Sequence, residues 1–385
     1  MRIRAVRERT LSLGAAIRNS YVDFSNMTVS VIAVESDIVR NGRAVTGYGF
    51  ASPGRYAQGE LTRSRVVPRI LAADANEFVD PASGDLDPER VNAVMRQGEK
   101  PGGHGDRSVA IAAVDVAMWD LAAKLRGVPL TTLFAERYGD GTVREDVWVY
   151  GAGGYYTDGG TSQTLADELS GYLDLGFREV KLKIGSSLAF DHDRIVAAVD
   201  VADGAAHVAV DASGRLDPSS AHSYAEMLEP FGLLWFEDAG DPLDYELQAA
   251  LCADYAGPMA TGENLFSLEE SRNLLRYGGM RPDRDILLMD PALCYGPTEY
   301  VRIVLDAEAR GWGRERFVPH GGNQVCLALA AGLGLGGTEC YPGVFQPIGG
   351  FADEVEIVDG RARTGSQPGL GVEGKADLWA VLQDL

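Results

Sequence analysis

Basic residues are scarce in this chain of 385 residues: 35 Lys and Arg stand against 56 Asp and Glu, a formal net charge of -21. That deficit argues against a general binder of nucleic-acid backbone, whose affinity rests on basic surface. An acidic ligand has to be held by cations gathered locally. Cysteine is also sparse. Cys252, Cys294, Cys326 and Cys340 show neither CxxC nor finger spacing, which points to reduced core residues and a cytoplasmic setting, not a disulfide framework. No run approaches the roughly 18 apolar residues of a membrane helix. The opening MRIRAVRERTLSLGAAIRNS alternates charged and apolar residues and lacks the apolar centre of a signal peptide. A soluble protein that meets neither nucleic acid nor membrane is expected. Walker-type loops, a GxSxG elbow and HExxH are missing too.

What is present is a large apolar fraction, 45%, enough for one large domain and a smaller one. Residues 28–34 and 44–50 are β-rich runs around Asn41-Gly42, a dipeptide suited to a tight hairpin. The stretch 107–126 has apolar residues at helical spacing, with Asp106 placed to cap it and Gly127 and Pro129 to end it. From about residue 146 the rhythm changes. Short apolar runs at 146–151, 180–185, 208–213, 233–238, 258–264, 286–292, 316–322 and 337–342 alternate with amphipathic helical segments. Strands alternating with helices pair in parallel through right-handed crossovers, and eight such units close into a barrel. The expected fold is α/β: an N-terminal α+β capping domain (1–140), a modified TIM-type (β/α) barrel (141–345), and a C-terminal segment (346–385) that returns to the cap. The glycine-rich 332–337 follows an Ala-Leu helix, so it is expected to be a helix C-terminus and not a dinucleotide loop.

Nearly every run ends in a polar residue. Lys183, Asp211, Glu237, Glu263, Asp290 and His320 follow one another at steps of 28, 26, 26, 27 and 30 residues, each about one strand, one helix and two loops. In a barrel all six sit at the strand C-terminal ends, where such enzymes assemble their sites. Asp211, Glu237 and Glu263 form a hard oxygen set suited to Mg²⁺. Lys181 and Lys183 lie on one face of a strand, and beside a cation and each other the pKa of Lys183 is expected to fall toward neutrality, making it a general base. Asp290 would fix the ring of His320. Taken singly, a strand-end carboxylate is more often a helix cap, a KxK pair the wet face of an edge strand, and a lone histidine structural. The joint register of six such residues favours a site. His104 either touches substrate or lines a turn; His192, His207 and His222 are expected at the surface.

At these residues the chain resembles the enolase superfamily, and within it the mandelate racemase subgroup. The KxK pair, the three carboxylates and the Asp290–His320 dyad all have counterparts there. Segments 19–28, 99–110, 261–267, 272–285 and 345–351 are similar to the tartrate-dehydrating branch, from which the chain departs at Ala51, Pro53 and Asn323. The resemblance implies a homo-oligomeric lyase acting on a small carboxylate substrate: Lys183 takes the α-proton, Lys181 adds charge at the substrate carboxylate, and His320 protonates a leaving β-hydroxyl. Glu339, if protonated, would bond the developing oxyanion, and Lys100, Arg55, Asn19 and Tyr21 would contact the far end of the substrate. Racemisation by the same Lys/His pair and a catalytically silent metal-binding scaffold are the alternatives.

Overall fold

Asn41 and Gly42 take the positive φ values, 50° and 76°, that a tight hairpin demands in the computed structural model, which describes residues 1–385. They join β2 (Thr28–Arg40) to β3 (Arg43–Phe50), and β1 (Ile3–Ser12) completes an antiparallel sheet in the order β1-β2-β3. Against it packs the helix Asp106–Arg126, buried along most of its length. The approach is close enough that a Cβ on Gly47 would meet the Ala117 carbonyl at 2.2 Å. Gly127 ends the helix in the left-handed conformation, as expected, but Asp106 does not cap it. Gly105 precedes the first turn with no side-chain cap, and Asp106 is itself the first helical residue, where its charge suits the N-terminal dipole.

The second sheet is parallel and runs in chain order through β4 (Asp146–Ala152), β5 (Glu179–Lys183), β6 (Val208–Asp211), β7 (Trp235–Glu237), β8 (Met259–Thr261) and β9 (Ile286–Leu287), with β10 (Thr338–Cys340) returning to pair with β4. The seventh expected strand, 316–322, is not a strand. Pro319 lacks an N–H, and Gly321 and Gly322 have φ of 115° and 53°, so no regular ladder forms. It still closes the ring: Val318 N donates to Leu287 O at 3.0 Å on one side, and Glu339 N donates to Pro319 O at 3.3 Å on the other. Helices occupy each intervening segment. The 324–333 helix ends at left-handed Gly334, so the glycine-rich stretch is a helix C-terminus.

Beyond the barrel, β11 (Ile357–Val358) and β12 (Arg361–Arg363) form a hairpin whose second strand pairs antiparallel with the start of β4. The last helix, Ala376–Leu382, then meets the cap, with Trp379 edge-on to Tyr48 at 5.2 Å. No helix is long and apolar enough to cross a membrane.

Asp115 ties the cap helix to a barrel helix. Fully buried, it accepts from Thr298 N (2.9 Å), Thr298 Oγ1 (3.0 Å) and Asn92 Nδ2 (2.9 Å). Burial outweighs these donors and raises its pKa from 3.8 to about 7. A carboxyl raised in the fold favours the folded state most at low pH, and this advantage declines as pH rises from about 4 to about 7, by on the order of 4 kcal/mol. Urea denaturation at pH 4.5 and pH 7 is expected to show that decline, and Asp115→Asn to flatten it. Equal slopes in the two proteins would refute the assignment.

Candidate active site

The ladder register sets the site. Lys183 pairs with Asp211 across β5 and β6, and Asp211 with Glu237 across β6 and β7, so their side chains share one face of the pleat. Lys181 and Lys183 are buried, at 1% and 5% exposure, which rules out the wet-edge reading. Their crowding is answered by carboxylates. Lys181 Nζ lies 2.5 Å from Glu237 Oε1, 2.8 Å from Glu339 Oε1 and 3.6 Å from Asp211, while Lys183 donates to Asp211. Each ammonium also faces a ring, Lys181 that of Tyr150 (5.6 Å) and Lys183 that of Tyr155 (5.3 Å).

Glu263, just past β8, closes the triad: one oxygen from each of Asp211, Glu237 and Glu263 lies within 4.8 Å of the others. Octahedral Mg²⁺ with ligands at about 2.1 Å spans at most about 4.2 Å between its oxygens, so small side-chain adjustments satisfy the ion. Charge fits as well. Asp211, Glu237, Glu263, Asp290 and Glu339 crowd around Lys181, Lys183 and His320, and burial raises the pKa of Glu237 and Asp290; a divalent cation at the triad would offset that crowding.

Across the triad from Lys183 stands His320. Its Nδ1 is 2.9 Å from Asp290 Oδ2, and its Nε2 is 2.9 Å from both Glu263 Oε2 and the Tyr341 hydroxyl. Burial pulls the imidazole pKa down, but Glu263 and Glu339 pull harder and hold it well above the ordinary histidine value. Lys183 shows the same competition. Burial lowers it, yet among the protein groups alone the Asp211 carboxylate leaves it raised, so the expected fall rests on the cation that the triad would hold. Glu339 is corrected. Burial raises it, but Lys181 and His320 win and lower its pKa, so it is an ionised partner of Lys181, not a protonated donor.

The cap residues divide. Arg55 reaches the site, donating to Asn264 and lying 5.0 Å over the Phe266 ring; Asn264 in turn donates to Glu263 and Asp238 at 3.1 Å each. The Tyr21 phenol is largely exposed, and its pKa is raised by partial burial and then by Glu263, with Arg55 opposing. Asn19 is spent on its own loop, its Oδ1 accepting from Tyr21 N (3.0 Å) and Val22 N (2.7 Å). Lys100 is exposed, and only its backbone carbonyl is engaged, by Arg107 at 3.0 Å. His104, on the cap, bonds the hydroxyl of Tyr295 in the barrel at 3.0 Å. Tyr341, Asn264 and Ser52 also touch the site residues His320, Glu263 and Asp290, although none stood among the residues expected there. Two-residue spacing from Glu339 was an available signal for Tyr341, and adjacency to Glu263 for Asn264.

Fold and cluster together define the class, an enolase-type enzyme with a capped parallel barrel. Residues 24–135 match the family described as mandelate racemase / muconate lactonizing enzyme, N-terminal domain, and residues 164–378 match the enolase C-terminal domain-like family; the chain belongs to this mandelate racemase branch of the enolase superfamily. Among its relatives are L-talarate/galactarate dehydratase of Salmonella typhimurium, 28% identical over 81% of this chain and 76% of that one, and arabinonate dehydratase of Saccharolobus solfataricus, 28% identical over 89% and 88%. The crystal structure of L-talarate dehydratase from Polaromonas sp. JS666, complexed with Mg and L-glucarate, superposes with a TM-score of 0.71 at 27% identity, covering 97% of each chain. Mg²⁺ is accordingly the cofactor.

Proposed function

We propose that the enzyme is a Mg²⁺-dependent hydro-lyase that removes water from a hydroxy acid or acid sugar, with D-tartrate to oxaloacetate as the first reaction to test. The observation that carries this reading is the placement of Lys183 and the Asp290-paired His320 on either side of one carboxylate triad. Asp211, Glu237 and Glu263 would hold the metal. Bound there, Mg²⁺ supplies Lewis-acid polarisation of the substrate carboxylate and offsets the Asp211 charge that keeps Lys183 protonated. Lys183 then takes the proton α to the carboxylate, and Lys181 places its charge beside the negative charge that develops. His320 Nε2 gives its proton to the β-hydroxyl, which leaves as water while the C–H electron pair becomes the new double bond. The enol product ketonises to a 2-oxo acid. Asp290 holds Nδ1 throughout, so the ring presents Nε2 to the substrate.

The relatives are named for longer acids, and the tartrate-like segments favour a shorter diacid. The deciding experiment screens the Mg²⁺-loaded enzyme against acid sugars and hydroxy diacids, all tartrate stereoisomers included, for 2-oxo acid formation. Turnover of D-tartrate alone supports the finer reading. Turnover of another acid keeps the chemistry and moves the substrate. An epimer with no 2-oxo acid would replace dehydration by racemisation. We place the enzyme in the cytoplasm as a homo-oligomer, which sedimentation of the purified protein tests.

A diacid needs a second cation, and Arg55 is the cap residue at hand. Arg55→Met is expected to raise KM for a diacid by about tenfold or more, the loss of a charge-assisted pair, and to change KM little for a monocarboxylic acid sugar. Equal changes for both would remove Arg55 from that role, and Lys100→Met is expected to change neither.

A further inference from the structure

Two places where the chain departs from the tartrate-like pattern, the 51–53 loop and Asn323, meet behind the catalytic dyad. Ser52, on the cap loop between buried Ala51 and Pro53, is fully buried, as are Asn323 and Asp290. Its hydroxyl donates to Asp290 Oδ1 at 2.9 Å, and its oxygen accepts from Asn323 Nδ2 at 3.0 Å. Asn323 is fixed in turn. Its Nδ2 also donates to Gly321 O at 2.9 Å, and its Oδ1 accepts from Val325 N at 3.0 Å, capping the helix Gln324–Leu333. Gly321 shows how tightly these groups converge. A Cβ there would lie 2.6 Å from Ser52 Oγ, 2.8 Å from Asp290 Oδ2 and 3.0 Å from Asn323 Nδ2, at a φ of 115°.

The chain of bonds has a direction. An amide N–H can only donate, so Asn323 occupies an acceptor position on Ser52 and turns the Ser52 proton toward Asp290. Asp290 Oδ1 already accepts from Ala292 N at 2.7 Å. With Oδ1 filled by two donors, Oδ2 is left to accept from His320 Nδ1. The ring is thereby fixed with its Nδ1 proton on Asp290 and its Nε2 as the exchangeable position. Ser52 belongs to the cap and Asp290 to the barrel, so the bond forms only when the cap loop is seated.

We infer that Ser52 and Asn323 are positioning residues that orient the Asp290–His320 dyad, and that Ser52 makes the readiness of that dyad depend on docking of the cap. The inference deepens the hydro-lyase reading and rests on it for its kinetic consequence, but not for its structural one. Ser52→Ala removes the donor from the cap. Asn323→Ser keeps a helix-capping hydroxyl but cannot reach Ser52, and serves if the first variant folds poorly. Outer groups of this kind typically change activity by about 10- to 100-fold. Both variants are expected to lower kcat for water loss by that factor with KM nearly unchanged, and to leave α-proton exchange in D₂O, the work of Lys183, close to wild type.

A second readout needs no turnover. The chain has five histidines, so ¹⁵N-histidine labelling gives a spectrum in which the hydrogen-bonded Nδ1 proton of His320 is assigned by its loss in His320→Asn. That proton is expected far downfield in the wild-type enzyme, and shifted upfield or broadened by exchange in Ser52→Ala and Asn323→Ser. An unmoved resonance together with wild-type kcat in both folded variants overturns the inference. A resonance that moves as expected in an enzyme that neither exchanges nor dehydrates any acid tested sustains the positioning role and overturns the hydro-lyase reading instead.

Discussion

Lys183→Ala is expected to lower kcat by roughly 100- to 10,000-fold, the range for loss of a positioned general base, and to abolish α-proton exchange in D₂O. The geometry adds a second consequence. Lys183 and the metal share Asp211, so removing the ammonium leaves that buried carboxylate to Lys181 at 3.6 Å and to Ser213 N at 2.6 Å, and Mg²⁺ affinity measured by calorimetry is expected to rise. Lys183→Arg separates charge from base function. It keeps a cation near Asp211 but cannot lose a proton at any accessible pH, so it is expected to be as inactive as the alanine variant without the gain in Mg²⁺ affinity. A catalytically silent scaffold predicts instead that Lys183→Ala changes metal affinity and leaves turnover, if any, where it was. Wild-type exchange in that variant would discard Lys183 as the base.

The barrel strands and their polar ends were legible because parallel strands repeat at a nearly constant interval, and a register of five steps of 26 to 30 residues survives errors of two or three residues at each boundary. What failed was whatever depends on contacts that spacing does not encode. The run at 316–322 has the composition of its neighbours, yet Pro319, Gly321 and Gly322 keep it out of the ladder while hydrogen bonds still hold it in place. The contact of Lys183 with Asp211 was hidden in the same way, because Asp211 is 28 residues away in sequence but directly paired in the sheet. Glu339 fails for the same reason, since Lys181 and His320 both reach it. In the cap, Arg55 and Lys100 look alike as cations on loops, and only the fold brings one of them to Asn264 and leaves the other exposed. Ser52 carried no signal at all, being 238 residues from Asp290.

His320→Asn is the complement of the lysine substitution, and the two together decide the direction of the chemistry. Asparagine keeps a side-chain donor for Asp290 but has no proton to deliver at the position of Nε2. If His320 acts only as the acid on the leaving hydroxyl, dehydration is expected to fall by roughly 100- to 10,000-fold, while Lys183 continues to exchange the α-proton of the substrate enantiomer that reaches it. Exchange without elimination in His320→Asn, set against neither in Lys183→Ala, places the lysine at the first step and the histidine at the second. Racemisation makes a different pattern. There each base serves one enantiomer, so His320→Asn would keep exchange for one enantiomer and lose it for the other, and the wild-type enzyme would carry solvent deuterium into an inverted product. Glu263 and Glu339 raise the pKa of the ring, but Glu263 is shared with the metal, whose charge weakens that pull, so the exchange pattern of His320→Asn, not the charge on the ring, decides between the two.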